Sequence, residues 1–161
     1  MLPLKRALIR KLQEEIGEEI GALKRVALTA REAATHEEAR PENDKDTRAV
    51  EAAYLAGAQA ERVRDLERVV NALEFLPLRA FGAGEPIALS ALIEVDMDGE
   101  TLRFFLAPQG GGKKVKVEGA EVQVVTPQSP VGQALLGKQV GDVVEVRTQR
   151  GVREYEIVSV A

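Results

Sequence analysis

The stretch ATHEEARPENDKDTR, residues 34–48, lies between two long segments whose apolar residues have the spacing of a helix. Pro41 cannot continue a helix without breaking its hydrogen-bond ladder, and it disfavours helical geometry at Arg40. We therefore expect a turn near residues 37–46. The acidic residues of this turn are Glu37, Glu38, Glu42, Asp44 and Asp46. The stretch predicts a helical hairpin with an acidic tip.

Amphipathic segments flank this tip on both sides. In each segment apolar residues recur every three or four positions, which places them on one face of a helix. The first set is Ile9, Leu12, Ile16, Ile20, Leu23, Ala27, Ala30 and Ala34, and the second is Ala49, Ala53, Ala56, Ala60, Val63, Leu66, Val70 and Leu73. Because neither helix would be apolar all round, we expect helices near residues 5–36 and 47–75 to pair as an antiparallel coiled coil. Thr47 is the predicted N-cap of the second helix.

The pattern changes after the second helical segment. LPLRAFGAGEP, residues 76–86, contains two prolines and two glycines and is typical of a linker. The β-branched or alternating segments beyond it are IALSALIEV (87–95), ETLRFFLAP (100–108), KVKVEG (114–119), EVQVVT (121–126), VVEVRT (143–148) and YEIVSV (155–160). Between the fourth and fifth we expect a short helix over residues 131–136, with Ser129 as its N-cap, Pro130 in its first turn and Gly137 at its end.

Together these patterns predict an α+β fold with two parts. The antiparallel long-helix hairpin would occupy residues 1–76, a linker residues 77–86, and a C-terminal domain residues 87–161. In that domain one short helix would pack on a twisted, mostly antiparallel sheet.

The composition excludes several classes of site. The 161 residues include no cysteine, so the chain has no disulfide framework and no thiolate metal site. His36 is the only histidine, which excludes a multi-histidine metal site and disfavours a nucleophile–histidine–acid triad. The net charge of −4 argues against coating a nucleic acid. No apolar run approaches the roughly 20 residues that cross a bilayer, so we expect no membrane partner. We also expect the protein to be cytoplasmic and monomeric.

Two further clusters are explained more simply as turns. The run Gly-Gly-Gly-Lys-Lys at residues 110–114 lacks the spacing of a P-loop, so we expect a hairpin turn with solubilising lysines. The acids Glu94, Asp96, Asp98 and Glu100 surround the dipeptide Asp98-Gly99, which is typical of a β-hairpin. The flanking helices and full ligand loop of an EF-hand are absent from this sequence.

The acidic tip has both a chemical interpretation and a simple one. Mg²⁺ often uses only one or two protein carboxylates and keeps several waters, so the tip could complete a site that a larger protein half provides. Two metal ions at a phosphodiester activate water and stabilise the leaving oxygen. The simple interpretation is that the acids are solvated and that Asp44 or Asp46 caps the second helix.

The segment SPVGQALLGKQVGDVVEV, residues 129–146, closely resembles the C-terminal signature of the bacterial GreA/GreB transcript-cleavage factors, as does EYEIVSV at residues 154–160. The order of hairpin, linker and FKBP-like C-terminal domain also matches, so the resemblance covers essentially the whole chain. It implies that the C-terminal domain binds RNA polymerase and that the coiled coil enters the secondary channel. Tip carboxylates would then help to hold the polymerase's catalytic Mg²⁺ while the nascent RNA of a backtracked complex is hydrolysed. The protein by itself would not be an enzyme.

The tip can be aligned with the family pattern residue by residue. The family has a histidine, an acid two residues later and a Glu-Asn pair, and His36, Glu38 and Glu42-Asn43 match these positions. The sequence departs from the family in having Glu38 in place of Asp, one extra residue at Pro41, and no aromatic after the Glu-Asn pair. The resemblance implies that Glu38 and Glu42 are the Mg²⁺-linked catalytic residues. Asp44 and Asp46 are their predicted substitutes.

The resemblance also assigns polymerase docking to the C-terminal domain. The predicted contact residues are Ser129, Pro130, Leu135, Leu136 and Gly137. Relatives with the same domain order and altered tips act as inhibitors that occupy the channel without promoting cleavage, which is the first alternative function. A prolyl isomerase is a remote alternative, disfavoured because few aromatic residues are present to line a proline pocket.

Overall fold

The computed structural model describes the backbone of residues 1–38 and 45–161, and the side chains of these residues outside residue 30 and residues 33–56. Within this part of the chain there are three helices and six strands. They are α1 (Leu2–Glu38), α2 (Lys45–Glu74), β1 (Leu92–Met97), β2 (Glu100–Leu106), β3 (Lys114–Val117), β4 (Ala120–Val125), α3 (Pro130–Leu135), β5 (Val143–Thr148) and β6 (Gly151–Val160). The α+β prediction is confirmed.

Both long helices start earlier than predicted. α1 begins at Leu2, since Pro3 is tolerated in a first turn where its missing N–H costs no hydrogen bond. α2 begins at Lys45, so Thr47 lies inside the helix and its prediction as the N-cap is wrong.

Contacts group the chain into two compact units. Met1–Gln13 and Ala72–Ala161 form one, here called the globular unit, and Glu14–Asn71 form the other, here called the arm unit. These limits differ from the predicted domain boundaries, because the ends of both long helices pack with the C-terminal segment. Leu8, in the second turn of α1, is fully buried in this packing.

The arm unit consists of α1 and α2 packed side by side. Ile16, Val63 and Leu66 are buried between them, as the apolar spacing predicted. Two cross-helix ion pairs, Glu19–Arg62 at 3.3 Å and Lys24–Glu67 at 3.5 Å, lie at the surface and add little stability. The hydrophobic face therefore holds the pair together. None of the helices, in the stretches whose structure is described, is long and apolar enough to cross a membrane.

The globular unit contains a six-stranded sheet in the order β3-β4-β2-β1-β6-β5. All neighbouring strands are antiparallel except β2 and β4, which are parallel. Asp98 and Gly99 have φ of 52° and 84° and form the predicted hairpin turn between β1 and β2. The first strand starts at Leu92, five residues later than predicted, because a turn closes before it with the Ala91 N–H bonded to the Ala88 carbonyl at 3.1 Å.

The core of the globular unit lies on both faces of this sheet. On one face α3 covers a cluster that includes Phe104, Tyr155 and Ile157. On the other face the first turns of α1 lie against the sheet, and the Lys11 ammonium donates a hydrogen bond to the Lys116 carbonyl at 2.6 Å. The sheet is therefore a layer between α3 and the beginning of α1.

Candidate functional site

The signature segment starts with a tightly capped helix. The Ser129 hydroxyl oxygen accepts hydrogen bonds from the Gly132 N–H at 3.1 Å and the Thr126 N–H at 3.3 Å. The same hydroxyl donates to the Thr126 carbonyl at 2.8 Å. Pro130 occupies the first turn, where its fixed φ suits a helix and its missing N–H costs nothing. Ser129 is thus the N-cap of α3, as predicted.

Gly132 is required by the close approach of the preceding loop. A Cβ at this position would lie 1.7 Å from the carbonyl oxygen of Thr126, which no side chain can occupy. The absent side chain lets α3 pack on the backbone that Ser129 also holds. The sequence Ser-Pro-Val-Gly is therefore a structural solution for the start of α3.

The exit of α3 is joined to the residue that follows the linker. Gly137 has a φ of 79°, which glycine adopts without strain, and its N–H donates to the Ile87 carbonyl at 2.8 Å. The Ile87 N–H donates in turn to the Lys138 carbonyl at 2.8 Å. These two hydrogen bonds fix the loop after α3 in one position.

The structure separates the five predicted docking residues into two groups. Leu135 is completely buried in the core cluster, so its prediction as a contact residue is corrected: a side chain with no exposed surface cannot touch a partner. The Ser129 hydroxyl is occupied by the cap. Pro130, Leu136 and Gly137 are exposed, Leu136 to 43%. With Val140, which is 48% exposed in the following loop, they form what we call the α3 surface.

A groove runs beside this surface, between α3 and β5. It has a volume of about 400 Å³ and is lined by Pro130, Gln133 and Ala134 on the helix side. On the strand side Glu145 and Arg147 line it. The sequence analysis did not single out Gln133, Glu145 or Arg147. The alternation in VVEVRT was the signal that could have identified the two strand residues, because it places them on one exposed face.

Comparison with known proteins identifies the family. The family model described as "Transcription elongation factor, GreA/GreB, C-term" matches residues 112–161. The transcription elongation factor GreA of Chloroherpeton thalassium is 30% identical over 112 residues, 68% of this chain and 67% of the relative. The chain belongs to the GreA/GreB family. The transcription inhibitor protein Gfh1 of Thermus thermophilus is 34% identical over 118 residues, 66% of this chain and 69% of the relative. GreA of Methylococcus capsulatus is 26% identical over 154 residues, 91% of each chain.

The family match and the α3 surface involve the same part of the chain. The GreA/GreB model covers β3 to β6 and therefore includes α3, the groove and the exit loop. It contains no residue of the arm unit. The roles of the tip acids consequently do not follow from that match.

The GreA/GreB tip lies at the limit of what the structure describes. Glu38 is the last residue of α1 and Asp46 is the second residue of α2, but their side chains lie outside the described residues. Glu42 and Asp44 lie outside them entirely. Among the residues that are described, no three acidic, histidine or cysteine side chains form a cluster that could hold a metal ion. The predicted Mg²⁺ ligation by Glu38 and Glu42 stays a prediction.

One titratable group in the globular unit is strongly perturbed. Burial, and secondarily the charge of Arg79, lowers the pKa of Lys5 to about 8. The Lys5 Nζ lies 4.8 Å from the centroid of the Phe81 ring, and the Arg79 guanidinium carbon lies 3.8 Å from the same centroid. Arg79 also donates to Glu85 at 2.6 Å, and this hydrogen bond lowers the pKa of that carboxyl. The cluster joins α1 to the linker, and no apolar periodicity could have indicated a buried lysine.

Proposed function

We propose that this protein binds RNA polymerase and places its acidic tip in the secondary channel, where it stimulates Mg²⁺-dependent cleavage of backtracked nascent RNA. The observation that carries this proposal is the arm unit, in which two paired helices lead to five acidic residues within residues 37–46. Membership of the GreA/GreB family supports it, since relatives carry the name transcription elongation factor. A polymerase factor of this kind would act in the cytoplasm and as a monomer.

Docking would use the globular unit. Pro130, Leu136 and Gly137 are the exposed members of the predicted contact set, and Val140 extends their apolar surface. Leu136 and Val140 would lose water-exposed apolar area on binding, which is the main favourable term in protein association. With a net charge of −4, the protein would reach the RNA 3′ end indirectly, through the polymerase.

The tip carboxylates would act on a site that the polymerase completes. Carboxylate oxygens are ordinary Mg²⁺ ligands, so the donor set of Glu38 and Glu42 fits this ion, with Asp44 and Asp46 as substitutes. The ion would supply Lewis-acid stabilisation and an activated water. α1 and α2 would hold the two glutamates beside it and orient them. Without the polymerase these carboxylates have no preorganised partners, so the isolated protein would not hydrolyse RNA.

An inhibitory function is the second candidate. The observation that favours it is the 34% identity to a protein named transcription inhibitor. The tip also has Glu38 where the cleavage factors have Asp, an extra residue at Pro41, and no aromatic after Glu42-Asn43. Such a protein would occupy the channel and leave the nascent RNA intact.

One assay separates the two functions. Backtracked elongation complexes in Mg²⁺ buffer would be incubated with the protein, and the RNA would be resolved by length. The proposal predicts 3′ shortening, loss of shortening in Glu42→Ala, and unchanged polymerase affinity in that variant. Glu18→Ala, an exposed acid on α1 away from the tip residues, is the matched control and should cleave normally.

Other outcomes of the assay would contradict the proposal. If the protein leaves the RNA intact and blocks cleavage by an authentic GreA, the inhibitory function holds instead. If Glu42→Ala loses affinity as much as cleavage, the tip only docks. Turnover of a proline peptide without polymerase would establish the isomerase alternative.

A further inference from the structure

The two outer strands of the sheet, β3 and β5, differ in how their free edges are protected. β3 has four residues, two of which are Lys114 and Lys116, and the Lys116 carbonyl already accepts the hydrogen bond from Lys11. Lysines on an edge strand are a common protection against pairing with another chain. β5 has six residues, Val-Val-Glu-Val-Arg-Thr, with neither lysine nor proline. Its edge is therefore open to a further strand.

The outer edge of β5 presents unpaired main-chain groups. The Ile157 N–H donates a hydrogen bond to the Asp142 carbonyl at 2.9 Å, so the main chain of Asp142 faces β6. Because the main-chain groups of successive strand residues point to opposite sides, those of Val143, Glu145 and Arg147 face away from β6. None of these outward groups has a hydrogen-bond partner among the described residues. Three residues of β5 can thus form hydrogen bonds with an added strand.

The groove between α3 and β5 runs along this edge. Three consecutive residues of β5 line it, Glu145, Val146 and Arg147. Successive side chains of a strand point to opposite faces, so a groove that touches three in a row lies along the edge of the strand. Pro130 and Ala134 of α3 line the other side, and the volume of about 400 Å³ is within the range of about 300–1,000 Å³ typical of ligand sites. The free main-chain groups and the groove therefore belong to one site.

The charges beside this edge indicate which segment fits it. On the face of the sheet away from α3, Glu145 lies directly opposite Glu154, and Glu156 directly opposite Asp96. Like charges that lie directly opposite each other in a sheet are destabilising. None of these four acids forms an ion pair with a side chain that the structure describes. A cation next to Glu145 is therefore favoured, whereas Arg147, two residues on, disfavours a second cation at that end of β5.

We propose that the groove binds an extended segment of a partner protein, which adds a strand to β5 and places one lysine or arginine opposite Glu145. The residues on either side of this cation would be apolar, because they point to the α3 face and contact Pro130 and Ala134. Main-chain hydrogen bonds would supply affinity and the side chains specificity, as in other added strands. The groove meets the α3 surface at Pro130, but this binding uses the edge of β5 and its test needs no polymerase, so it does not rest on the function proposed above.

A second copy of the chain does not fit this edge. Antiparallel pairing of two β5 strands would match their charges by placing Glu145 opposite Arg147 of the second copy, with the twofold axis at Val146. α3 lines the groove at this same point, so the second copy would bring its own α3 into space that is already occupied. A segment without an adjoining helix avoids this overlap.

A peptide titration of the full-length protein tests this inference. The probe is acetyl-Thr-Val-Lys-Val-Thr-amide, and its binding is followed by ¹⁵N–¹H NMR with amide exchange. We expect saturable shifts at residues 131–134 and 143–148. Amide exchange should slow at residues 143, 145 and 147, whose N–H groups face outward, and should change less at residues 144 and 146, which already pair with β6.

Two variants separate the charge from the main-chain pairing. Glu145→Gln should weaken binding about tenfold, as expected for loss of a close charge pair. Glu100→Gln, at an exposed acid outside the groove lining, should bind as the unmodified protein does. Arg147→Pro removes an outward N–H but no hydrogen bond to β6, so the protein should stay folded, as its NMR spectrum will show, and should lose binding.

Several results would overturn the proposal. Equal binding of acetyl-Thr-Val-Glu-Val-Thr-amide would remove the charge argument, as would equal binding by Glu145→Gln and Glu100→Gln. Shifts without slower exchange at residues 145 and 147 would exclude an added strand. Sedimentation as a dimer without peptide, abolished in Arg147→Pro, would show that a second copy occupies the edge. The absence of any shift along β5 would exclude the site altogether.

Discussion

The ammonium of Lys5 donates a hydrogen bond to the main-chain carbonyl of Arg79 at 2.7 Å, joining the first turns of α1 to the linker. The Lys5 side chain is fully buried, and the Phe81 ring lies close to both its ammonium and the Arg79 guanidinium. The buried Lys5 ammonium has the Arg79 carbonyl and the Phe81 ring as favourable partners. The positive charge of Arg79 opposes it, and none of these contacts is with a carboxylate. The contact therefore makes the stability of the globular unit depend on pH.

Lys5 should make stability rise in alkaline solution. Its pKa is about 8 in the folded protein and 10.5 in the unfolded chain, so the unfolded chain binds the extra proton between these values. Stability then rises with pH from about 8 to 10.5, by at most about 1.4 kcal/mol per pH unit, and is independent of this group below pH 8. Urea unfolding at pH 7, 9 and 10 measures the slope. Lys5→Met should lose this slope, and Lys138→Met, at an exposed lysine, should keep it; equal slopes in both variants would contradict the prediction.

Gly132→Ala should severely destabilise the globular unit. The added Cβ would overlap the Thr126 carbonyl oxygen, and relieving the overlap must displace α3 from its cap. We expect a loss of roughly 3 kcal/mol or more in the free energy of unfolding, at the upper end of overpacking effects. Chemical denaturation followed by far-UV circular dichroism measures this loss of free energy; the chain has no tryptophan whose fluorescence could be followed instead. Gly17→Ala is the control, because a Cβ there meets nothing within 4 Å and should stabilise α1 by up to about 1 kcal/mol.

Ser90→Gly should stabilise the protein. Ser90 is fully buried, has a φ of 75°, and its hydroxyl oxygen has no hydrogen-bond partner. A left-handed backbone costs a non-glycine residue about 1–2 kcal/mol, and an unpaired buried hydroxyl adds to that cost. We expect Ser90→Gly to raise the free energy of unfolding by about 1 kcal/mol. Ser90→Ala separates the two causes, since it removes the hydroxyl and keeps the strained Cβ; a gain in Ala equal to that in Gly would exclude backbone strain.

Local patterns predicted most of the elements, and tertiary contacts account for the misses. Apolar spacing predicted both long helices, Asp98-Gly99 predicted the β1–β2 turn, and Ser129 was predicted as the N-cap of α3. Each of these features depends on residues that are close in sequence. The burial of Lys5 and the parallel pairing of β2 with β4 depend on segments distant in sequence, which periodicity does not encode. Leu135 ends α3 and Leu136 is its C-cap residue, and the spacing of so short a helix does not show which of these adjacent leucines faces inward. The prediction of Leu135 as a docking residue is wrong for this reason, since Leu135 belongs to the core.

Leu136→Asp should weaken polymerase binding without unfolding the protein. Leu136 is 43% exposed on the α3 surface, so the substitution removes apolar area available to a partner and places a charge there, with a folding cost within about 0.5–1 kcal/mol. A buried charge without a counter-charge at an interface costs several kcal/mol, so we expect at least a tenfold loss of affinity in a competition assay with labelled polymerase. Val152→Asp is the matched control, since Val152 is 55% exposed on β6 outside the α3 surface. If Val152→Asp weakens binding as much as Leu136→Asp does, or if neither has an effect, the α3 surface is not where the polymerase docks.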